Sequence, residues 1–170
     1  MDPVEPEASA ADCRFMELAL EEARTAAEIG EVPVGAVVVD AGNRVVARAH
    51  NLREIEKDAS AHAEFLAMRQ AMDELDAWRL EGCTVYVTLE PCIMCAGLMQ
   101  QARIGRCVFG AYDPKGGALG TLYTINDDAR LNHRFPVEGG VMEEECADIL
   151  RGFFKERRKH ANKPENQDER

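Results

Sequence analysis

The chain predicts a layered α/β domain built on a mixed sheet. Three observations carry that prediction. Helical and extended patterns alternate along the chain, the first two extended runs are separated by only four turn residues, and the later extended runs are joined through helical segments. At 170 residues, one domain with a sizeable core is the expected organisation.

Residues 1–10 mix Pro, Glu, Ala and Ser without periodicity and read as a mobile leader. From Asp12, apolar Phe15, Leu18, Ala19, Ala23 and Ala26 recur at spacings of three and four, an amphipathic helix that Gly30 can stop. Val34 to Val39 and Arg44 to Ala49 are β-branched runs around Asp40-Ala41-Gly42-Asn43, a hairpin signal. Asn51 to Ala59 reads as a charged loop, with Ser60 as the N-cap of a helix whose Phe65, Met68, Met72 and Leu75 form one stripe. Cys83 to Leu89 is the clearest strand. Pro91 suits the first turn of a helix running from about Cys92 to Ala102, and Arg106 to Ala111 is a further short strand. Asp113 to Gly120 is a glycine-rich loop, and Cys146, Ile149, Leu150, Phe153 and Phe154 mark one face of a last helix at about 142–160. Residues 161–170 read as a polar tail, leaving a single domain over 11–160 with its motifs concentrated in about 11–125.

Forty-six per cent hydrophobic with 30 per cent charged residues is globular composition. The longest apolar run, Val32 to Val39, falls well short of the roughly 18 residues of a spanning helix, and the acidic N-terminus lacks the apolar segment of a secretory signal. A cytoplasmic location without membrane partners is therefore the expectation. There Cys13, Cys83, Cys92, Cys95, Cys107 and Cys146 are free thiols or metal ligands rather than a disulfide framework.

His62, Glu64 and the pair Cys92 and Cys95 stand out. Cysteines at i and i+3 share a helix face, and both segments fall at predicted helix N-termini, where the macrodipole favours thiolate. One His and two Cys make three ligands, the number of a catalytic zinc site that keeps one position open. A lone C-x-x-C is weak, more often redox or incidental. H-x-E followed by P-C-x-x-C, however, is the signature of zinc nucleobase deaminases. In a regular helix His62 and Glu64 point about 200° apart, so a shared ion has to lie over the helix end. Zinc lowers the pKa of its bound water toward neutrality, and Glu64, which is not a ligand, is placed to carry protons to a ring nitrogen and a departing amine.

Five stretches extend the pattern: Glu31-Val32-Pro33-Val34-Gly35-Ala36-Val37, Ala61-His62-Ala63-Glu64, the run from Tyr86 through Cys92 to Gly97, Arg103-Ile104-Gly105-Arg106, and Asn132-His133-Arg134. Over roughly Asp12 to Lys159 the chain closely resembles the bacterial tRNA-specific adenosine deaminases of the zinc-dependent cytidine/deoxycytidylate deaminase superfamily. The resemblance implies a three-layer α/β/α cytidine-deaminase-like fold with a central five-stranded mixed sheet. It implies one zinc per subunit on His62, Cys92 and Cys95, with Glu64 as proton shuttle. Asn51 matches the asparagine that hydrogen-bonds the flipped purine, Ala63 stands where a backbone group meets the base, and Asp113 matches an acidic loop residue near the target sugar. The implied reaction converts the wobble adenosine of a tRNA anticodon stem-loop to inosine, on a homodimer whose RNA site is built from both subunits. Ser60, Ala59, Tyr112, Gly116 and Thr121 depart from the common choices of these proteins, and none is a ligand.

Two other readings stand beside this one: a free-base or nucleoside deaminase of the guanine or cytosine type, and a zinc-stabilised RNA-binding module without catalysis. Glu64 separates the last from the others, because a structural metal site has no use for it. His133 fits a structural role as well as an RNA contact, and for Asn51 the plain alternative is a loop asparagine capping a turn.

A formal charge of -11 argues against general affinity for polyanions. Its distribution is uneven: residues 1–22 hold seven acids and one base, residues 23–150 hold 20 and 12, and residues 164–170 hold three and one. Residues 151–163 hold six bases, Arg151, Lys155, Arg157, Arg158, Lys159 and Lys163, against Glu156 alone. Arg157, Arg158 and Lys159, with Lys115 and Arg134, are the expected phosphate contacts.

Overall fold

The computed structural model describes residues 8–163. In chain order these form α1 (Ala10–Glu28), β1 (Gly35–Val39), β2 (Val45–His50), the single turn α2 (Arg53–Glu56), α3 (Ala63–Leu75), β3 (Thr84–Leu89), α4 (Ile93–Gln101), β4 (Arg106–Ala111), a 3-10 turn (Ile125–Asp127), β5 (Val137–Glu138) and α5 (Glu143–Ala161). The strands make one mixed sheet in the order β2-β1-β3-β4-β5. The hairpin partners β1 and β2 are antiparallel, as are β1 and β3. β3, β4 and β5 run parallel, which requires crossovers, and α4 supplies the one between β3 and β4.

Side-chain alternation along these strands builds two cores. Val37, Val39, Tyr86 and Val108 pack with Phe15, Met16 and Leu20 of α1 and Cys146 of α5. Ala36, Val38, Val85, Val87, Cys107 and Phe109 face the other way, onto Ala67, Met68 and Ala71 of α3 and Met99 of α4. The sheet is thus the middle of three layers. Covered on both faces, β1 is apolar at every position, as sandwiched strands are.

Two local features seat α1 on the sheet. A Cβ at Gly35 would lie 2.0 Å from the Ala19 carbonyl oxygen, so the helix reaches β1 only because residue 35 is glycine. Asp12, buried on α1, accepts from the Tyr86 hydroxyl at 2.7 Å and from both terminal nitrogens of Arg106 at 2.8 Å. Arg106 also pairs with Glu138 of β5, so one ionic cluster joins α1 to β3, β4 and β5.

Some expectations are corrected at element ends. Ser60 does not cap α3: its N–H and hydroxyl both donate to Asp58, and His62 occupies the N-cap position. Pro91 lies one residue before the N-cap Cys92 rather than inside the first turn. The segment 51–59, read as loop, contains α2. Ser9 caps α1 by accepting from the Asp12 N–H at 3.1 Å, so helix begins inside the stretch read as leader. The remainder of that leader, and residues 164–170 of the polar tail, lie outside the described residues.

Candidate active site

His62 and Cys92 are the N-caps of α3 and α4, and both have extended backbones with no side-chain capping bond. Each side chain is therefore available to project beyond its helix end. Cys95, one turn into α4, is buried beside them. The His62 Nδ1 lies 3.6 Å from both the Cys92 and the Cys95 sulfur. Among the described residues these three form the one His/Cys/Asp/Glu group able to hold a metal ion, with ligand atoms within 4.8 Å of one another.

The donor set fits zinc. Zn–N bonds of about 2.05 Å and Zn–S bonds of about 2.3 Å at tetrahedral angles place nitrogen and sulfur about 3.5 Å apart, close to the spacing observed. Charge in the cluster points the same way. Hydrogen bonding from Cys95, with His62 beside it, pulls the Cys92 thiol down to about 4. That thiolate, together with burial, pushes Cys95 far up, and hydrogen bonding to Cys92 raises His62. Two sulfurs this close resist double ionisation until a cation sits between them.

Glu64, on the first turn of α3, is outside that donor group, yet it shares a cavity of about 200 Å³ with His62, Ala63, Cys92, Asn51 and Asp113. His62 and Glu64 thus converge over the helix end, as their spacing requires. Burial raises the Glu64 carboxyl above its ordinary range, countered in part by hydrogen bonds. A carboxylate so tuned is suited to holding and releasing a proton.

Asn51, at the end of β2, is buried in the cavity wall, where its Oδ1 accepts from the Arg53 N–H at 3.1 Å and its Nδ2 donates to the Val32 carbonyl at 3.3 Å. The turn-capping geometry is present, and the side chain also lines the cavity. Ala63 is buried at the start of α3, and Asp113 stands on the facing loop, its Oδ1 accepting from the Lys115 N–H.

Two buried glutamates, Glu90 in the cavity wall and Glu31 next to the wall residue Val32, have no role in the sequence reading. The Glu31 carboxylate accepts from the N–H groups of Glu54 at 3.3 Å and Ile55 at 2.6 Å, at the start of α2. Glu90 does the same for the loop that carries Asp113. A charged residue at the end of the apolar run TVYVTL is the available signal for Glu90.

A larger groove of about 910 Å³ adjoins the cavity and shares Val32, Leu89 and Asp113 with it. Lys115, Arg151, Lys155 and Arg158 line it, with Tyr112 and Phe154. Of the residues expected to meet phosphate, the structure brings Lys115 and Arg158 together there. Arg157 lies over the Phe153 ring, Lys159 pairs with Glu156, and Arg134 pairs with Asp127 in a different cleft. His133 donates from Nε2 to the Ile104 carbonyl at 2.9 Å, a structural bond.

Residues 11–158 match the family model of MafB19-like deaminases, so fold and site together are those of a deaminase. The tRNA-specific adenosine deaminase of Bacillus subtilis is 53% identical over 145 residues, spanning 85% of this chain and 89% of the relative. That of Agrobacterium fabrum is 49% identical over 85% of this chain and 94% of its own. A solved structure from work on A-to-I editing by tRNA:A34 deaminases superposes with a TM-score of 0.77 at 47% identity, covering 81% of this chain and 99% of that one. The guanine deaminase of Nitrosomonas europaea shares the fold, with a TM-score of 0.74 at 23% identity over 88% of this chain and 87% of its own. The chain belongs to the tRNA-specific adenosine deaminase family.

Proposed function

We propose that this protein is a zinc-dependent hydrolase that converts adenosine to inosine at the wobble position of a tRNA anticodon, releasing ammonia. The observation that carries the reading is the placement of Glu64 in the cavity beside His62, Cys92 and Cys95 but outside their donor group. A structural metal site would have no need of that carboxylate.

In this reading His62, Cys92 and Cys95 hold one zinc per chain, which when bound makes a water acidic enough to supply hydroxide near neutral pH. Glu64 would take up the two protons of that water in turn, passing the first to the purine ring nitrogen and the second to the exocyclic amine. The C–N bond breaks, the amine leaves as ammonia, and the water oxygen remains as the carbonyl of inosine. Asn51 and Ala63 line the pocket for the base, and Asp113 faces the ribose. A cavity of about 200 Å³ admits one flipped base rather than a folded strand, and the flanking nucleotides lie in the basic groove, near Lys115 and Arg158.

No described helix is long and apolar enough to cross a membrane, in keeping with a cytoplasmic tRNA enzyme. The protein acts as a homodimer: Ile55 and Ile93, two and one residues from the cavity-lining Arg53 and Cys92, are more than half exposed and offer apolar surface to a second copy.

The substrate is tested by comparing inosine formation in a synthetic anticodon stem-loop bearing a wobble adenosine with ammonia release from guanine, cytosine and cytidine. The stem-loop is expected to turn over and the free compounds not; activity confined to the free compounds overturns the reading.

A further inference from the structure

Glu90 is 2% exposed, and it connects β3 to the segment that carries Cys92. Its carboxylate faces a ring of donors. Oε1 accepts from the Asp113 N–H at 3.2 Å and from the Thr121 hydroxyl, and Oε2 accepts from the N–H groups of Leu119 at 3.2 Å and Thr121 at 3.1 Å. Backbone N–H groups only donate, so these partners require an acceptor-only group at both oxygens. The loop is shaped to receive it: a Cβ at Gly117 would lie 2.3 to 2.4 Å from all three atoms of the carboxylate, so only glycine leaves room. The neighbouring Ala118 N–H donates to the Pro91 carbonyl at 2.9 Å, joining the same two segments a second time.

A buried carboxylate so fully paired holds the loop where it is, because releasing it would leave a charge and several N–H groups unsatisfied. The loop carries Asp113, which lines both the cavity and the groove. We propose that Glu90 is a positioning residue for substrate: it fixes the 113–121 loop as the wall of the cavity, and so governs how tightly RNA is held rather than how fast the bound base reacts. Thr121 and Gly117 belong to the same device. The inference rests on the deaminase reading for its kinetic consequence, but not for its structural one.

Glu90→Gln puts an amide N–H₂ where an N–H donor already points. With zinc content measured alongside, the variant is expected to bind zinc as the wild type does, to raise KM for the anticodon stem-loop about tenfold, and to change kcat less than about threefold. Without RNA, hydrogen exchange at the Asp113, Leu119 and Thr121 amides should quicken while the β3 amides keep their protection. Thr121→Val, which removes one donor and leaves the carboxylate, should shift KM and loop exchange in the same direction by a smaller amount. A fall in kcat at unchanged KM, or unaltered exchange in the loop, overturns the proposal. Should the wild type fail to act on RNA at all, the exchange measurement still decides whether Glu90 holds the loop.

Discussion

Asp12, Glu31, Glu90 and Glu64 are all buried carboxylates, and their surroundings divide them by role. Asp12 is met by Arg106 and Tyr86, and Glu31 and Glu90 by backbone N–H groups, whereas for Glu64 burial outweighs hydrogen bonding and raises the carboxyl. The first three are held for structure; the fourth is the one we propose exchanges a proton. The Arg106 guanidinium holds Asp12 below its ordinary value of 3.8. Because the folded value is depressed, the stabilisation is fully present above the unfolded value and fades as pH falls through the folded one. Asp12→Asn is accordingly expected to lower stability at pH 7 by about 2 kcal/mol. The difference from wild type should shrink in thermal unfolding below pH 3.8. At this scale the grouping of His62, Cys92 and Cys95, with Glu64 in the cavity beside them, was legible in the sequence because a donor set able to hold a metal admits few residue types at narrow spacing. Glu31 and Glu90 were not, since their partners lie 23 to 31 residues away and are, apart from the Thr121 hydroxyl, backbone groups, which no side-chain pattern marks.

Among elements, those with a sustained apolar period were foreseen within a residue or two: α1, the hairpin, β3 and β4. The short ones were not. α2 spans four residues and β5 two, and both depend on tertiary partners, α2 on Glu31 and β5 on pairing to Cys107 and Val108. The fifth strand was expected from resemblance and not from any extended run. Ser60 shows how a good N-cap residue is diverted: Asp58, two residues back, accepts both of its donors. The displaced cap then falls to His62, and this frees the imidazole to face Cys92 and Cys95.

Across the whole molecule, the sheet order brings two helix N-termini, those of α3 and α4, to one cavity, with the basic end of α5 beside it in the groove. The -11 net charge disfavours general polyanion binding, while Lys115, Arg151, Lys155 and Arg158 gather positive charge along the groove. Replacing Lys115 and Arg158 by alanine is expected to weaken stem-loop binding and flatten its log–log salt dependence by about 0.7 per lost phosphate contact. Replacing Arg157 and Lys159, which are engaged with Phe153 and Glu156, should change it less. Filter binding between low and moderate salt measures both; equal slopes for the two pairs would move the RNA path elsewhere. The central claim, that Glu64 serves chemistry rather than the metal site's integrity, is tested most directly by quantifying inosine in an anticodon stem-loop treated with wild type or Glu64→Gln at matched zinc content. The account predicts wild-type zinc occupancy and unfolding temperature with deamination slowed by at least about 10²-fold in the variant; turnover at the wild-type rate would contradict it.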